Sequence, residues 1–263
     1  MSVYEFHRGT SALLISVPHS GTEVPASLFE RLSPIARELP DTDWYVDQLY
    51  AFARELGASI IKANYSRYVV DLNRAADSAA LYDSDPTSPV CPTHTFAGAP
   101  LYAKGDVPDA REIRERVAAY WQPYHDRIVT ELAGLKAEHG HALLWDAHSI
   151  ASEIPGLFAG QLPEFNLGTR DGASCPDAVA QALLQTIQSS GGFSSVLNGR
   201  FKGGYITKAY GQPAQAVHAV QLELSQRSYM TEQPRGSWNP QQATAAAACI
   251  RALLTRYVQV KGS

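Results

Sequence analysis

Residues 12–22 read ALLISVPHSGT, and residues 142–149 read ALLWDAHS. Each is an apolar run that ends at a histidine followed by a serine. Continuous apolarity over so few residues, closed by turn formers, is the pattern of a strand covered on both faces, as in a parallel sheet between helical layers. In the first stretch Ala12, Leu13, Leu14, Ile15 and Val17 make the run, and Pro18 and Gly21 stop it. His19 and His148 would then stand at the carboxyl ends of two strands, the edge where open α/β sheets hold ligands.

Further strands are expected at 58–63 (ASIIKA), 68–72 (YVVDL), 156–160 (GLFAG) and 216–224 (AVHAVQLEL). Helical periodicity lies between them. In residues 43–57, Val46, Leu49, Tyr50, Ala53 and Leu56 share one face, with Asp43 at the front and Gly57 as the stop. A longer helix runs over 108–139, where Pro123 should kink or divide it, and two more cover about 176–188 and 240–258. The alternation predicts an α/β fold: one domain over 1–263, with three α/β/α layers and a mixed, mostly parallel sheet. Stretches 76–108, 162–176 and 198–213 have no period, and the first reads as a long loop insertion. Loops of that length in a compact domain are usually functional or mobile, so together they suggest a rim around a site.

Composition narrows the function. With 45% hydrophobic and 18% charged residues and a net charge of −4, the 263-residue chain is an ordinary globule without a basic footprint for nucleic acid. No run approaches the roughly 18 apolar residues of a membrane span, and the first residues lack a basic-then-apolar signal. Cys91, Cys175 and Cys249 are odd in number and far apart, which argues against a disulfide framework or a structural zinc cage. A cytoplasmic protein with a small-molecule partner is expected. No G-x-S-x-G, G-x-G-x-x-G or P-loop occurs.

His19 alone reads as a turn residue. Two strand-end histidines can converge, and Asp146, two residues before His148, could orient that imidazole. A catalytic zinc site needs three protein ligands and an open position. Asp43 and Asp47, one helical turn apart, and Glu23 are the candidates for the third; otherwise Asp43 is a helix-front charge and Asp47 a solvated face. In SRYVVDLNR (66–74), Arg67, Asp71, Asn73 and Arg74 either form an internal ion pair at a strand end or grip a substrate carboxylate. Glu223, among Val220, Leu222 and Leu224, is a proton-transfer group if buried and inert if it alternates to solvent. In NGRFKGGYITKAYG (198–211), Arg200 and Lys202 either hold an anion or decorate a glycine-rich hairpin.

SVPHSG, SRYVVDLNR, YHDRI (124–128), WDAHS, NGRFKGGYITKAYG and QLELSQ (221–226), in that order, resemble the N-formylglutamate amidohydrolase family over nearly the whole chain. More distantly, DLNR at 71–74 and D-x-H at 146–148 resemble the zinc carboxypeptidase and aspartoacylase group, which implies a zinc-carboxypeptidase-like fold. The family resemblance implies metal-dependent hydrolysis of N-formyl-L-glutamate to formate and L-glutamate, the last step of one histidine-degradation route, with a divalent metal for which zinc is the expectation. By likeness His19 and His148 bind the metal, Arg67 polarises the formyl carbonyl, and Asn73 and Arg74 hold a substrate carboxylate. Glu223 is general base and then acid, and Arg200 or Lys202 anchors the second carboxylate. The carboxypeptidase group carries a metal-binding glutamate three positions after its first histidine, where this chain has Thr22. Asp43 is therefore chosen as third ligand, narrowly over Asp47 and Glu23. The competing readings are an amidohydrolase or carboxypeptidase for another N-acyl amino acid, and a metal-free dicarboxylate-binding protein.

Overall fold

The computed structural model describes residues 2–79, 89–103, 106–232 and 236–259. Its centre is a seven-stranded sheet in the order β1-β3-β2-β4-β7-β5-β6. The strands are β1 (Tyr4–His7), β2 (Leu13–Val17), β3 (Ser59–Ala63), β4 (Ala142–Ile150), β5 (Phe165–Gly168), β6 (Ser195–Leu197) and β7 (Val217–Ser225). The middle four, β3, β2, β4 and β7, are parallel, and β1 and β5 flank them antiparallel. A small ladder joins β8 (Met230–Thr231) to β9 (Ser237–Trp238).

Alternation within the buried strands divides the core in two. Leu13, Ile15, Val17, Trp145, Val220 and Leu222 face single-turn helix α3 (Val46–Leu49), α6 (Asp177–Ser190) and α8 (Pro240–Tyr257). Leu14, Ile61, Leu144 and Ala219 face α5 (Gln122–His139) and α7 (Tyr205–Tyr210). Two helical layers on one sheet give the expected three-layer α/β/α arrangement. The remaining helices are α1 (Ala26–Phe29), α2 (Pro34–Arg37) and α4 (Ala110–Arg116). Among the described residues no helix is long and apolar enough to cross a membrane.

Several element expectations need correction. Residues 68–72 are a turn rather than a strand. Asp71 Oδ1 accepts from the Asn73 N–H, a local bond that competes with a sheet ladder, and Tyr68 and Val69 go to one cluster while Val70 and Leu72 go to another. Residues 156–160 also turn: the Leu157 and Phe158 N–H groups both donate to Ile154 O, and Gly160 adopts φ +68°. The expected helix over 43–57 is a turn of α-helix at Val46–Leu49 followed by a 3₁₀ segment at Ala51–Leu56, with Gly57 at φ +67° ending it as anticipated. Between α4 and α5 the chain stays helical through a π turn at Val117–Trp121, the change of register that immediately precedes Pro123, so the proline is accommodated inside a helical run that continues to His139. Strands β1 and β6 were not expected, and β5 lies inside stretch 162–176. Residues 80–88 and 104–105 of the 76–108 stretch lie outside the described residues.

Candidate active site

The parallel strands β2, β4 and β7 bring three buried polar side chains to one end of the sheet: His19 just after β2, His148 near the end of β4, and Glu223 opposite His148 in the register of β7. Asp146 and His148 on β4 and Gln221 and Glu223 on β7 share the parity of Leu144 and Ala219, so all four face the α5 and α7 layer. Glu223 is 7% exposed, which excludes the solvent-facing alternative.

Both imidazoles are held in the same way. His19 Nε2 lies 2.9 Å from Asp71 Oδ1, and His148 Nε2 lies 2.9 Å from Asp146 Oδ2. A carboxylate only accepts, so each Nε2 carries a hydrogen, and so does His148 Nδ1, which lies 3.1 Å from Asp43 Oδ2 and would give that proton up to a bound cation. His19 Nδ1, 3.8 Å from the same oxygen, is left as a lone pair. One ligand atom from each of His19, Asp43 and His148 lies within 4.8 Å of the others. Among the described residues His19 Nδ1 is buried without a hydrogen-bond partner, an arrangement that costs stability unless something else meets it. Two imidazole Nδ1 atoms and a carboxylate oxygen around one point suit a divalent cation, which would take the place of the His148 Nδ1 proton.

The electrostatics agree. Burial opposes charge on His148, yet the carboxylates of Asp146 and Asp43 raise its pKa well above the ordinary value, so the site attracts positive charge. His19 is pushed the other way by burial and by the Arg67 guanidinium. Asp43 is itself placed by backbone: its N–H donates to His19 O, and its Oδ2 accepts from the Ser149 N–H at 3.1 Å. Tyr229, buried, donates within reach of both Ser149 Oγ (2.7 Å) and Trp44 O (2.8 Å) and so braces the same corner.

Arg67 is 7% exposed, with Nη2 2.7 Å from Asp71 Oδ2, Nη1 3.7 Å from Asp43 Oδ1, and its guanidinium over the Phe96 ring. Burial alone would raise the Asp71 carboxyl, but Arg67, His19 and Arg74 hold it well below the ordinary carboxylate range. Asp71 thus bridges His19 to Arg67, a role its place in the sequence did not show. Asn73 Nδ2 is 3.0 Å from His148 Nε2, and its Oδ1 accepts from the Ile206 N–H of α7. Arg74 donates to Asn73 O and lines a cavity of about 510 Å³ with Tyr205 and Lys208. A larger cleft of about 1240 Å³ reaches Asp41, Thr42, Phe96 and Ser149 beside the cluster.

Burial pushes the Glu223 carboxyl up to about 8, against the pull of His148 and Arg67. Gln221 donates from Nε2 to Glu223 Oε2 at 3.2 Å and accepts from the Gly204 N–H at 2.7 Å. Gln221 escaped the sequence reading, although its parity with Glu223 in QLEL was visible. The other expected residues lie apart from the His-Asp-His cluster. Asp47 is exposed and pairs with Lys62, while Glu23 is exposed and bridges Tyr65 through backbone. Lys202 pairs with Asp171 at 2.9 Å with its side chain 43% exposed, and Arg200 is exposed, 5.8 Å from the Phe201 ring centre.

Comparison with known proteins converges on one group. A family profile described as N-formylglutamate amidohydrolase matches residues 11–230. The N-formylglutamate deformylase of Pseudomonas aeruginosa is 54% identical, over 96% of this chain and 94% of that protein. That of Pseudomonas putida is 47% identical over the same shares. Among solved structures, the N-formylglutamate amidohydrolase of Ralstonia eutropha superposes with a TM-score of 0.84 at 22% identity, covering 98% of this chain and 99% of that one.

Proposed function

The chain belongs to the N-formylglutamate amidohydrolase family, and from that premise we propose that it hydrolyses N-formyl-L-glutamate to formate and L-glutamate, in the cytoplasm, as the last step of a histidine-degradation route. The observation that carries the proposal is the pair of imidazoles that both turn Nδ1 toward Asp43 while a buried carboxylate holds each Nε2. His19, Asp43 and His148 would hold a divalent cation, with zinc as the proposed metal. When bound, it supplies Lewis-acid activation of water and of the formyl carbonyl.

The chain's own groups do the rest. Glu223 takes a proton from the attacking water and returns it to the amide nitrogen as that bond breaks; its raised pKa suits both halves of the exchange near neutral pH. The negative charge that develops on the formyl oxygen faces Arg67, a donor of the kind whose removal costs roughly 3 to 4 kcal/mol in the transition state. Asp71 and Asp43 fix that guanidinium in place, so little reorganisation accompanies the reaction. Asn73 and Arg74 hold one substrate carboxylate. Arg200 or Lys202 anchors the second, with Lys208, which shares the Arg74 cavity, as the competing cation.

Formate release from N-formyl-L-glutamate by purified protein, beside metal analysis, tests this. Stoichiometric metal is expected, with activity abolished by a chelator and restored by the metal. An enzyme for another N-acyl amino acid would prefer formyl-aspartate or acetyl-aspartate. A metal-free dicarboxylate-binding protein would release no formate from any of them.

A further inference from the structure

The turn that carries Asn73 and Arg74 is gripped from behind. His125 Nε2 lies 2.9 Å from Leu72 O, and Trp121 donates from Nε1 to Arg74 O at 2.9 Å. These are the carbonyls on either side of Asn73. Trp121 and His125 are four apart on one helical face, their rings stacked with centroids 3.7 Å apart and 26° between planes. Trp121 closes the π turn, and a π turn adds a residue to the helical register and so rotates the face that later side chains present.

Because a carbonyl only accepts, His125 Nε2 bears the hydrogen, and its Nδ1 accepts from the Tyr210 hydroxyl at 2.7 Å. Tyr210 ends α7, and the Ile206 N–H of the same helix holds Asn73 Oδ1 at 2.8 Å. The connections close a ring: Leu72, Asn73, Ile206, Tyr210, His125 and back to Leu72. Nothing in the proposed reaction uses His125, yet it is 2% exposed and polar on both nitrogens.

We propose that His125, with Trp121, is a positioning residue that fixes the Leu72–Arg74 backbone so that Asn73 and Arg74 present their side chains to substrate. Burial keeps the imidazole neutral by pushing its pKa down to about 3, so the ring holds the same hydrogen-bond pattern throughout the working pH range. The inference rests on the proposed substrate-holding role of Asn73 and Arg74.

The test measures kcat and KM for N-formyl-L-glutamate, with metal content, in His125→Phe, His125→Gln, Tyr210→Phe and Arg74→Ala. Phe keeps the stack on Trp121 and removes both polar contacts, and KM should rise about tenfold or more while kcat stays within about threefold and metal is retained. Gln restores an N–H donor and should recover most of that loss. Tyr210→Phe should raise KM severalfold, and it decides the matter if His125→Phe fails to fold. An unchanged KM in His125→Phe, a Gln variant no better than Phe, or a loss confined to kcat or metal would overturn the proposal. Arg74→Ala separates the premises: if it leaves KM unchanged, the substrate-holding role fails, whereas a raised KM there with a normal His125→Phe removes only the clamp.

Discussion

Glu223 and His148 face each other across one pair of parallel strands, and a single substitution at each separates the proposed proton transfer from the proposed metal binding. Glu223→Gln keeps the size of the side chain and removes the proposed base. Turnover should fall by about 10²–10⁴-fold with metal content unchanged, since general acid–base catalysis supplies that much; a near-normal rate would remove Glu223 from the chemistry. His148→Ala deletes one of three candidate ligands and should deplete the metal measured in the purified protein, and full occupancy would contradict the assignment. His19, His148 and Glu223 could be read from sequence because each interrupts or ends an apolar run, where a polar group stands out. Asp43 was separable from Asp47 and Glu23 only narrowly. All three are carboxylates near His19 in the chain, and the path of residues 20–45 decides which one turns inward. Asp71 was seen as half of an ion pair, but its second oxygen and the imidazole it meets belong to different segments, 52 residues apart.

At the scale of the element, the glycine-rich stretch before α7 does more than turn. A Cβ on Gly204 would stand 2.2 Å from Asn73 Nδ2, so Gly204→Ala must displace the side chain that touches His148. The backbone of Gly204 is extended, at φ −86°, so the substitution carries no conformational strain of its own. We expect kcat/KM to fall at least about tenfold and the melting temperature to drop by a few degrees, as overpacking of a buried site does, and an unaffected rate would show that Asn73 can shift without cost. From sequence this stretch read as an anion loop or a hairpin. Close approach between backbone and a distant side chain leaves no local signal beyond the glycine itself. The same limit explains residues 68–72, whose composition is that of a strand but whose Asp71 closes a turn on Asn73. Strand β5, FNLG, was missed for the opposite reason: it is short, and Asn166 is buried only because its Nδ2 finds Pro163 O and Glu223 O.

Across the whole molecule, the three layers were legible because β2 and β4 open with consecutive apolar residues, at 13–15 and 142–145, a pattern that a sheet covered on both faces accommodates. The antiparallel flanks were not, since edge strands of three or four residues carry too little pattern. That double cover has a thermodynamic consequence at His125, buried in the layer between sheet and α5. Its pKa falls from 6.5 to about 3 on folding, because burial penalises the imidazolium more than the Leu72 carbonyl favours it. Between those values the unfolded chain binds a proton that the folded chain refuses. The stability contribution is therefore complete above pH 6.5 and is lost as pH falls through the interval, at about 1.4 kcal/mol per pH unit where the difference is fully developed. Urea denaturation of the wild type should show its midpoint dropping steadily between about pH 6 and pH 4. In His125→Gln, which has no proton to gain there, the slope should be shallower by roughly one proton's worth. If the two proteins lose stability in parallel, His125 is already protonated in the folded state, and the acid sensitivity belongs to other groups.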